Sequence, residues 1–521
     1  MLHQRPLALA SSAVVAGTVY FALAWLLQRR QRSSQRVLVE AFIALGVVFF
    51  TVATPLALNG TATGVTWALE GAALVWIGAR QDRVVPRVFG VLLQLFAAAI
   101  QVGDADSFAV SPAPAFGVFM ARAVTGVAAV LCAVLLRKHA QRLRSYEEPG
   151  SPITFYLGLA EWLFCGLIEI DRYAPQGYVL AISLVFVTSS ALACSELSRR
   201  TALSLARLPA LSLLPALVMF AASLLVIPGR HPFDNAGWLA WSLAFAGFYI
   251  ICRRHEGPAG RPLANWLHII SAWLLVALLT WQVVWFIERG VAGRGSWVAV
   301  GWALVPACAL ALLPRLMRRF AWPMRAHREA YLVFAGGGLA AYLALWSLVT
   351  NVSLPGDPDP FPYLPLLNAL DLAQAFVLLV LARYCLGLRV TQPAPVVALT
   401  TLAFIWLNAV LVRTLHRWAG VPLEFEAVVS STLVQTALSI FWTGLALVTM
   451  LGAARRGSRP VWITGAALLA MTIVKLFVID LARVGTVERI VSFVGVGLLT
   501  LVIGYFSPLP PAATERRTGE S

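Results

Sequence analysis

The sequence predicts an all-α fold, a polytopic transmembrane helix bundle of roughly 17 spans built largely of helical hairpins. Hydrophobic residues make up 60% of the 521 residues and charged residues only 12%, which leaves too little polar side chain to cover a water-soluble surface. Apolar runs long enough to cross a bilayer follow one another along the chain, and they are continuous rather than alternating. Continuous runs predict helices and exclude a membrane β-barrel.

The predicted spans follow from comparing the length of each apolar run with the thickness of a bilayer. They define one multi-pass transmembrane domain over residues 1–506, followed by a short disordered cytoplasmic tail over residues 507–521. The spans cover residues 7–27, 37–58, 62–79, 87–103, 115–136, 153–170, 177–194, 208–227, 236–252, 265–287, 296–313, 330–350, 364–382, 395–412, 432–453, 460–480 and 488–506.

Positive charge predicts the orientation of these spans. The net charge is +16, and basic residues gather in alternate loops, such as those that hold Arg29/Arg30 and Arg199/Arg200. Because cytoplasmic loops carry an excess of Lys and Arg, the N-terminus is predicted outside and the C-terminus in the cytoplasm. The same distribution makes the lipid bilayer the expected partner and argues against nucleic-acid binding.

The hairpins show a possible internal repeat. Residues 67–104 and 442–480 both begin with Trp, reach a turn rich in arginine, and return through Gly and paired leucines to an Asp. Membrane topology alone generates part of this likeness, so duplication and a shared topology remain alternatives.

Three charged residues, Glu70, Arg122 and Glu161, fall inside predicted spans of the N-terminal third of the chain. Charged side chains within a bilayer usually face the interior of a bundle and pair there. Arg122 is expected to neutralise Glu70 or an acid near the outer face. A buried pair that fixes helix packing is one interpretation, and a substrate or proton pathway is the other.

A second set of polar residues predicts an outward-facing polar pocket. Its members lie near the outer ends of late spans, several of them at helical spacing on one face. Lys475 lies about one turn deeper than Asp480. Asp371 is its first candidate partner, and snorkelling of the lysine to the interface is the alternative. The candidate pocket residues are Asn368, Asp371, Gln374, Asn408, Gln435, Ser439, Lys475 and Asp480.

No cofactor or metal site is predicted. The six cysteines lie in or at the ends of apolar runs without a CxxC pair, so they are interpreted as small buried apolar residues. Acid pairs in predicted outer loops, Asp104/Asp106 and Glu169/Asp171, are compatible with a transferase that uses lipid-linked substrates. Acid pairs in such loops are also common without any catalytic role.

Several long segments identify the chain as similar to a known family. It resembles the bacterial inner-membrane proteins catalogued as domain of unknown function 2339, either as a short member or as a C-terminal portion. The resemblance implies a multi-pass protein of the bacterial inner (cytoplasmic) membrane, and it implies no activity, cofactor or site. The segments are RVLVEAFIALGVVFFTVATPLAL and TWALEGAALVWIGARQ within 36–81, YLPLLNALDLAQA (363–375), FIWLNAVLVRTLHRWAGVP (404–422), STLVQTALSIFW (431–442), and VKLFVIDL and VERIVSFVGVGLL within 474–499.

Three functions follow as hypotheses. The first is a transporter-like or envelope-associated protein that binds a small molecule in the predicted pocket. The second is an integral-membrane transferase that acts on lipid-linked substrates, and the third is a non-catalytic membrane scaffold. An enzyme is the less favoured class, because the sequence contains no Walker, HExxH or GxSxG motif in a supporting context.

Overall fold

The computed structural model describes residues 5–29, 36–58, 60–103, 116–201, 203–227, 231–257, 261–291, 295–388 and 393–480. All regular secondary structure within these ranges is helical. The helices divide into two compact units, residues 1–264 and 265–521.

Among its described residues, the first unit contains ten α-helices and the start of an eleventh. Most are joined by short turns, which makes consecutive helices antiparallel neighbours. The helices are α1 (Arg5–Arg29), α2 (Arg36–Ala57), α3 (Gly60–Gln81), α4 (Val84–Gly103), α5 (Phe116–Lys138), α6 (Gly150–Tyr173), α7 (Val179–Arg200), α8 (Arg207–Leu211), α9 (Leu213–Val226), α10 (Gly237–His255) and α11 (Arg261–Gly290).

In the part of the second unit that the structure describes, the rest of α11 is followed by seven further α-helices. Three π-helical segments, 321–325, 330–335 and 476–480, adjoin them. The α-helices are α12 (Gly295–Arg319), α13 (Gly336–Ser353), α14 (Ala369–Gly387), α15 (Ala394–Ala419), α16 (Phe425–Ser430), α17 (Thr432–Arg456) and α18 (Arg459–Lys475).

Small residues allow the helices of the first unit to pack closely. In the α3–α4 hairpin, a Cβ added to Gly71 would lie 2.7 Å from the carbonyl oxygen of Gly90. In the α5–α6 hairpin, a Cβ added to Gly158 would lie 2.5 Å from the carbonyl oxygen of Gly126. Such close backbone approaches are the usual way in which membrane helices gain packing energy, because lipid provides no hydrophobic drive between helices.

The second unit has an apolar core where α12, α13 and α14 meet. Its members include Leu310, Leu343 and Val377, all nearly inaccessible to solvent. A smaller apolar cluster, with Met450 and Leu469 among its members, joins α17 to α18.

The predicted fold class is confirmed. Fifteen described helices are long and apolar enough to cross a membrane, and many carry large apolar side chains on their exposed faces, as lipid contact requires. The first sixteen predicted spans each coincide with helical segments, although α10, which ends in Arg253, Arg254 and His255, is not among the fifteen. The seventeenth, 488–506, lies outside the described residues, as does the predicted tail. The orientation of the termini stays a prediction.

Two predicted boundaries were wrong, and both errors affect the candidate site. The predicted span 364–382 begins as a helix only at Ala369, because Asn368 has extended backbone and caps the first turn. The predicted span 395–412 continues to Ala419 and ends at Gly420, which adopts a left-handed conformation with φ +71°.

Candidate functional site

The sequence of α14 places an acid at its N-terminus. Asn368 is the N-cap, and its side-chain oxygen accepts a hydrogen bond from the backbone N–H of Asp371 at 2.9 Å. The Asn368 amide in turn donates to Oδ2 of Asp371. Each residue therefore provides a hydrogen-bond partner for the other. The Asp371 carboxylate lies at the positive end of the α14 dipole.

The Asp371 carboxylate is fully buried and receives hydrogen bonds from two parts of the chain, α15 and the loop before α14. Besides the Asn368 amide, Oδ2 accepts from the backbone N–H of Leu366 at 3.3 Å. Oδ1 accepts from Nε1 of Trp406 at 3.1 Å and from Nη1 of Arg413 at 3.2 Å. Four donors on two oxygens satisfy most of the acceptor capacity of a carboxylate.

Arg413 is the counter-ion of Asp371, and it is 2% exposed. Its Nη2 donates to the carbonyl oxygens of Thr350 and Asn351 at 3.2 and 3.4 Å, and its Nε donates to that of Leu354 at 3.2 Å. The carbonyls of Thr350 and Asn351 belong to the last turn of α13, where backbone acceptors lack partners within the helix. The guanidinium therefore lies at the negative end of the α13 dipole.

The hydrogen bonds continue one turn deeper. Oγ of Ser347 donates to Oε1 of Gln374 at 2.6 Å, and Nε2 of Gln374 donates to Oγ1 of Thr350 at 2.7 Å. All of these side chains are buried. We call the complete set the Asp371–Arg413 cluster, comprising Ser347, Thr350, Asn351, Asn368, Asp371, Gln374, Trp406 and Arg413.

The cluster and its neighbours fix the loop between α13 and α14, residues 354–368. Arg417 forms an ion pair with Asp357 at 2.9 Å, and Nε1 of Trp297 donates to the carbonyl oxygen of Asp359 at 2.9 Å. These contacts connect the loop to α15 and α12, in addition to the bonds from Arg413 and Asp371.

Gly356 and Tyr363 complete the packing of this loop. Gly356 has φ +69°, and a Cβ there would lie 2.8 Å from Cδ of Arg413, so only glycine fits without strain. The hydroxyl of Tyr363 lies 3.5 Å from Oγ1 of Thr414, and burial raises the pKa of this phenol. Tyr363 therefore stays neutral.

Lys475 forms a separate polar contact between α18 and α17. Its Nζ donates to Oγ of Ser439 at 2.7 Å and to the carbonyl oxygen of Gln435 at 3.0 Å. The predicted pairing of Lys475 with Asp371 was wrong, because the Asp371 carboxylate is paired with Arg413 instead. The physical reason is that Asp371 lies at a helix N-terminus beside a cation already directed toward it from α15.

The eight predicted pocket residues thus fall into different groups. Asn368, Asp371 and Gln374 lie together as predicted, and the Ser439 side chain and the Gln435 backbone lie with Lys475. Oδ1 of Asn408 accepts a hydrogen bond from Nε1 of Trp442 at 2.7 Å, which links α15 to α17. The side chain of Asp480 lies outside the described residues.

The three charged residues predicted within the first unit have their own contacts. Glu70 accepts from Oγ1 of Thr51 at 2.7 Å, and Nη2 of Arg122 donates to the carbonyl oxygen of Gln101 at 2.6 Å. Glu161 is 7% exposed and within electrostatic range of Arg122. The expectation that Arg122 neutralises Glu70 or an outer acid stays a prediction, and two of the outer acids, Asp104 and Asp106, lie outside the described residues.

Sequence reasoning missed Arg413, since it counted this residue in an outer loop. One available signal was Gly420, because a glycine just after a last basic turn commonly ends a helix. Extending the helix to that glycine places Arg413 seven residues after Trp406, on the same face.

Sequence reasoning also missed a buried ion pair in the first unit. Arg87 Nε and Nη2 donate to the two carboxylate oxygens of Glu147 at 2.7 and 3.1 Å. The side chains are 2% and 3% exposed. Both residues lie near predicted loops, where exposed charges are the usual expectation.

Two histidines far apart in the sequence also meet in the second unit. The ring centroids of His268 and His327 are 4.3 Å apart. Nδ1 of His268 lies 3.1 Å from the hydroxyl of Tyr331, and Nδ1 of His327 lies 2.7 Å from Oδ1 of Asn265. Since 59 residues separate the two rings, no local motif could have predicted this contact.

Long apolar helices, lipid-facing apolar surfaces and polar groups buried between helices define a polytopic α-helical integral membrane protein. The profile of the family described as predicted membrane protein, DUF2339, matches residues 1–510. The chain therefore belongs to this family, and the resemblance predicted from the sequence is confirmed. No curated protein and no solved structure matches the chain.

Proposed function

We propose that this protein is a non-catalytic membrane scaffold in which the Asp371–Arg413 cluster holds the 354–368 loop in a fixed conformation. The observation that supports this most is the mutual pairing of the cluster. Its carboxylate, guanidinium and amides hydrogen-bond to one another and to helix termini, and the charged pair is 0–2% exposed. A buried network whose polar groups are all hydrogen-bonded gives rigidity and a unique packing. In a substrate site, by contrast, polar groups have to exchange their hydrogen-bond partners when the substrate binds.

The loop held in this way presents apolar side chains. Phe361 and Leu367 are 62% and 68% exposed, and Leu364 is also exposed. Clustered exposed apolar residues mark surfaces that contact lipid or another protein. A rigid loop that carries them at one membrane face suits a protein that holds another envelope component.

A transporter-like role is the second candidate, and the feature that favours it is at the end of α18. Lys475 is 8% exposed, and the next five residues form a π-helical segment, 476–480. Buried cations in membranes are often functional, and π-helical segments frequently occur at functional sites. For the transferase alternative, Glu169 is half-buried and Asp171 exposed near the end of α6, while Asp104 and Asp106 lie outside the described residues.

Cysteine accessibility distinguishes a fixed cluster from a pocket that opens. In a cysteine-free background, Val377→Cys replaces a fully buried residue one turn deeper than Gln374 with a side chain of similar size. Leu367→Cys provides the matched control, because it is exposed and lies at the start of the same helix. Both variants are treated in membrane vesicles with a membrane-impermeant maleimide, with and without a membrane potential.

The scaffold predicts rapid labelling at Leu367→Cys and no labelling at Val377→Cys under either condition. Labelling at Val377→Cys that approaches the control rate, or that depends on the potential, would contradict the scaffold and favour a transporter-like pocket. Circular dichroism and thermal unfolding establish that both variants are folded before they are compared.

A further inference from the structure

The first unit contains an apolar groove of about 340 Å³ between α6, α7 and the α8–α9 pair. Its lining includes Tyr156 and Leu163 of α6, Cys194 of α7, and Leu208 and Ala216 of α8 and α9. On α7, α8 and α9 these residues lie in the half of each helix nearest to Arg199, Arg200 and Arg207. The groove therefore lies toward the basic ends of these helices.

A basic cluster lies at that end of the groove. Arg199, Arg200 and Arg254 share one carboxylate, that of Glu196, so positive charge is in excess. The side chains of Arg199 and Arg200 are well exposed. The last groove residue on α7, Cys194, is five and six residues before these two arginines.

Arg207 extends the basic cluster to the other wall of the groove. It immediately precedes the groove residue Leu208, and its Nη2 donates to the carbonyl oxygen of His255 at 2.9 Å. Burial, followed by the positive charges of Arg207 and Arg254, lowers the pKa of His255. The direction of this shift agrees with an electropositive end of the groove.

We propose that this groove binds an acidic phospholipid, with an acyl chain along Leu163, Cys194 and Ala216 and the phosphate beside Arg200 and Arg207. The occupant follows from charge complementarity. An apolar groove selects hydrocarbon, and excess arginine at its end selects an anionic head group over a zwitterionic one. Arg geometry also suits the paired oxygens of a phosphate.

The test is native mass spectrometry of the full chain released from nanodiscs that contain equal amounts of POPG and POPC. The wild type is expected to retain POPG in preference to POPC. Arg200→Gln removes an exposed guanidinium, and Arg200→Gln/Arg207→Gln removes two. Each lost arginine is expected to weaken POPG retention by about fivefold.

Two further variants distinguish lipid binding in the groove from a general attraction between arginine side chains and anionic lipid. Ala216→Trp fills the groove and leaves every arginine in place, so it should also abolish the preference for POPG. Arg455→Gln/Arg456→Gln removes an exposed arginine pair from the equivalent end of α17 and should leave retention unchanged.

Equal retention of POPG and POPC by the wild type would overturn the proposal. So would an equal loss in the Arg455→Gln/Arg456→Gln control, or unchanged retention in both Arg200→Gln and Ala216→Trp. Arg200→Gln and Ala216→Trp both alter partly or fully exposed side chains, so folding of these variants is expected, and thermal unfolding of each sample verifies it.

Discussion

Two buried ion pairs among the described residues are built in different ways. In the first unit, Arg87 and Glu147 satisfy each other directly through two hydrogen bonds. In the second unit, Asp371 and Arg413 share only one, at 3.2 Å. Their remaining bonds go to backbone groups, amides and an indole, and each charge lies at the helix terminus of opposite polarity.

This difference indicates what each pair does. The Arg87–Glu147 pair connects the start of α4 to the turn before α6, and a second acid, Asp82, lies 3.1 Å from Nη1 of Arg87. The Asp371–Arg413 pair joins the end of α13, the start of α14 and the last turns of α15. Removing Glu147 in the first unit therefore leaves Arg87 bonded to Asp82 and to the carbonyl oxygens of Gly78 and Arg142. Removing Arg413 in the second unit releases the end of α13, the start of α14 and the loop between them.

The largest expected effect is that of Arg413→Leu. The change leaves the Asp371 carboxylate buried without its cation and removes the Arg413 donors from the carbonyl oxygens of Asn351 and Leu354. We expect a loss of about 3–5 kcal/mol in the free energy of unfolding, measured by denaturant titration in detergent micelles. Arg417→Leu is the matched control, since its ion pair is about one-third exposed, and it should cost at most about 1 kcal/mol. Equal losses in the two variants would contradict the account.

Glu147→Gln is expected to have a smaller effect. The amide keeps the shape of the side chain and one acceptor, and Asp82 still neutralises Arg87. We expect a loss of about 1.5–3 kcal/mol in the same titration. A loss larger than that of Arg413→Leu would reverse the comparison between the two pairs.

Gly356→Ala tests whether the loop is held against Arg413. The methyl group meets Cδ of Arg413, and alanine is strained at positive φ, so we expect a loss of about 1–2 kcal/mol. Gly387→Ala is a suitable control, because a Cβ there would meet nothing within 4 Å. If Gly356→Ala were as harmless as Gly387→Ala, the close contact between the loop and Arg413 would be wrong.

Trp406→Phe should have the smallest effect of the series. It removes one of four hydrogen bonds to the Asp371 carboxylate and keeps an aromatic ring. We expect a loss of about 1 kcal/mol, visible as a small decrease in the midpoint of thermal unfolding. A loss as large as that of Arg413→Leu would show that the indole contributes as much as the counter-ion.

The sequence predicted the membrane helices and the three cluster residues at the start of α14. Asn368, Asp371 and Gln374 follow helical spacing, so their proximity could be read directly from the chain. The partner of Asp371 could not, because Arg413 is 42 residues away and its helix was predicted to end at residue 412, seven residues before its end at Ala419. Lys475 was the predicted partner because a lysine within an apolar run is conspicuous in a sequence. An arginine at the edge of such a run, such as Arg413, is not.

Hydrogen–deuterium exchange of residues 354–368 in lipid nanodiscs tests the central claim most directly. If the Asp371–Arg413 cluster holds the loop, amides such as that of Leu366, which donates to Asp371, should exchange slowly in the wild type. They should exchange at least tenfold faster in Arg413→Leu, while α3 and α4 of the first unit stay unchanged. Fast exchange of the loop in the wild type, or the same protection in Arg413→Leu, would contradict a structural role for the cluster.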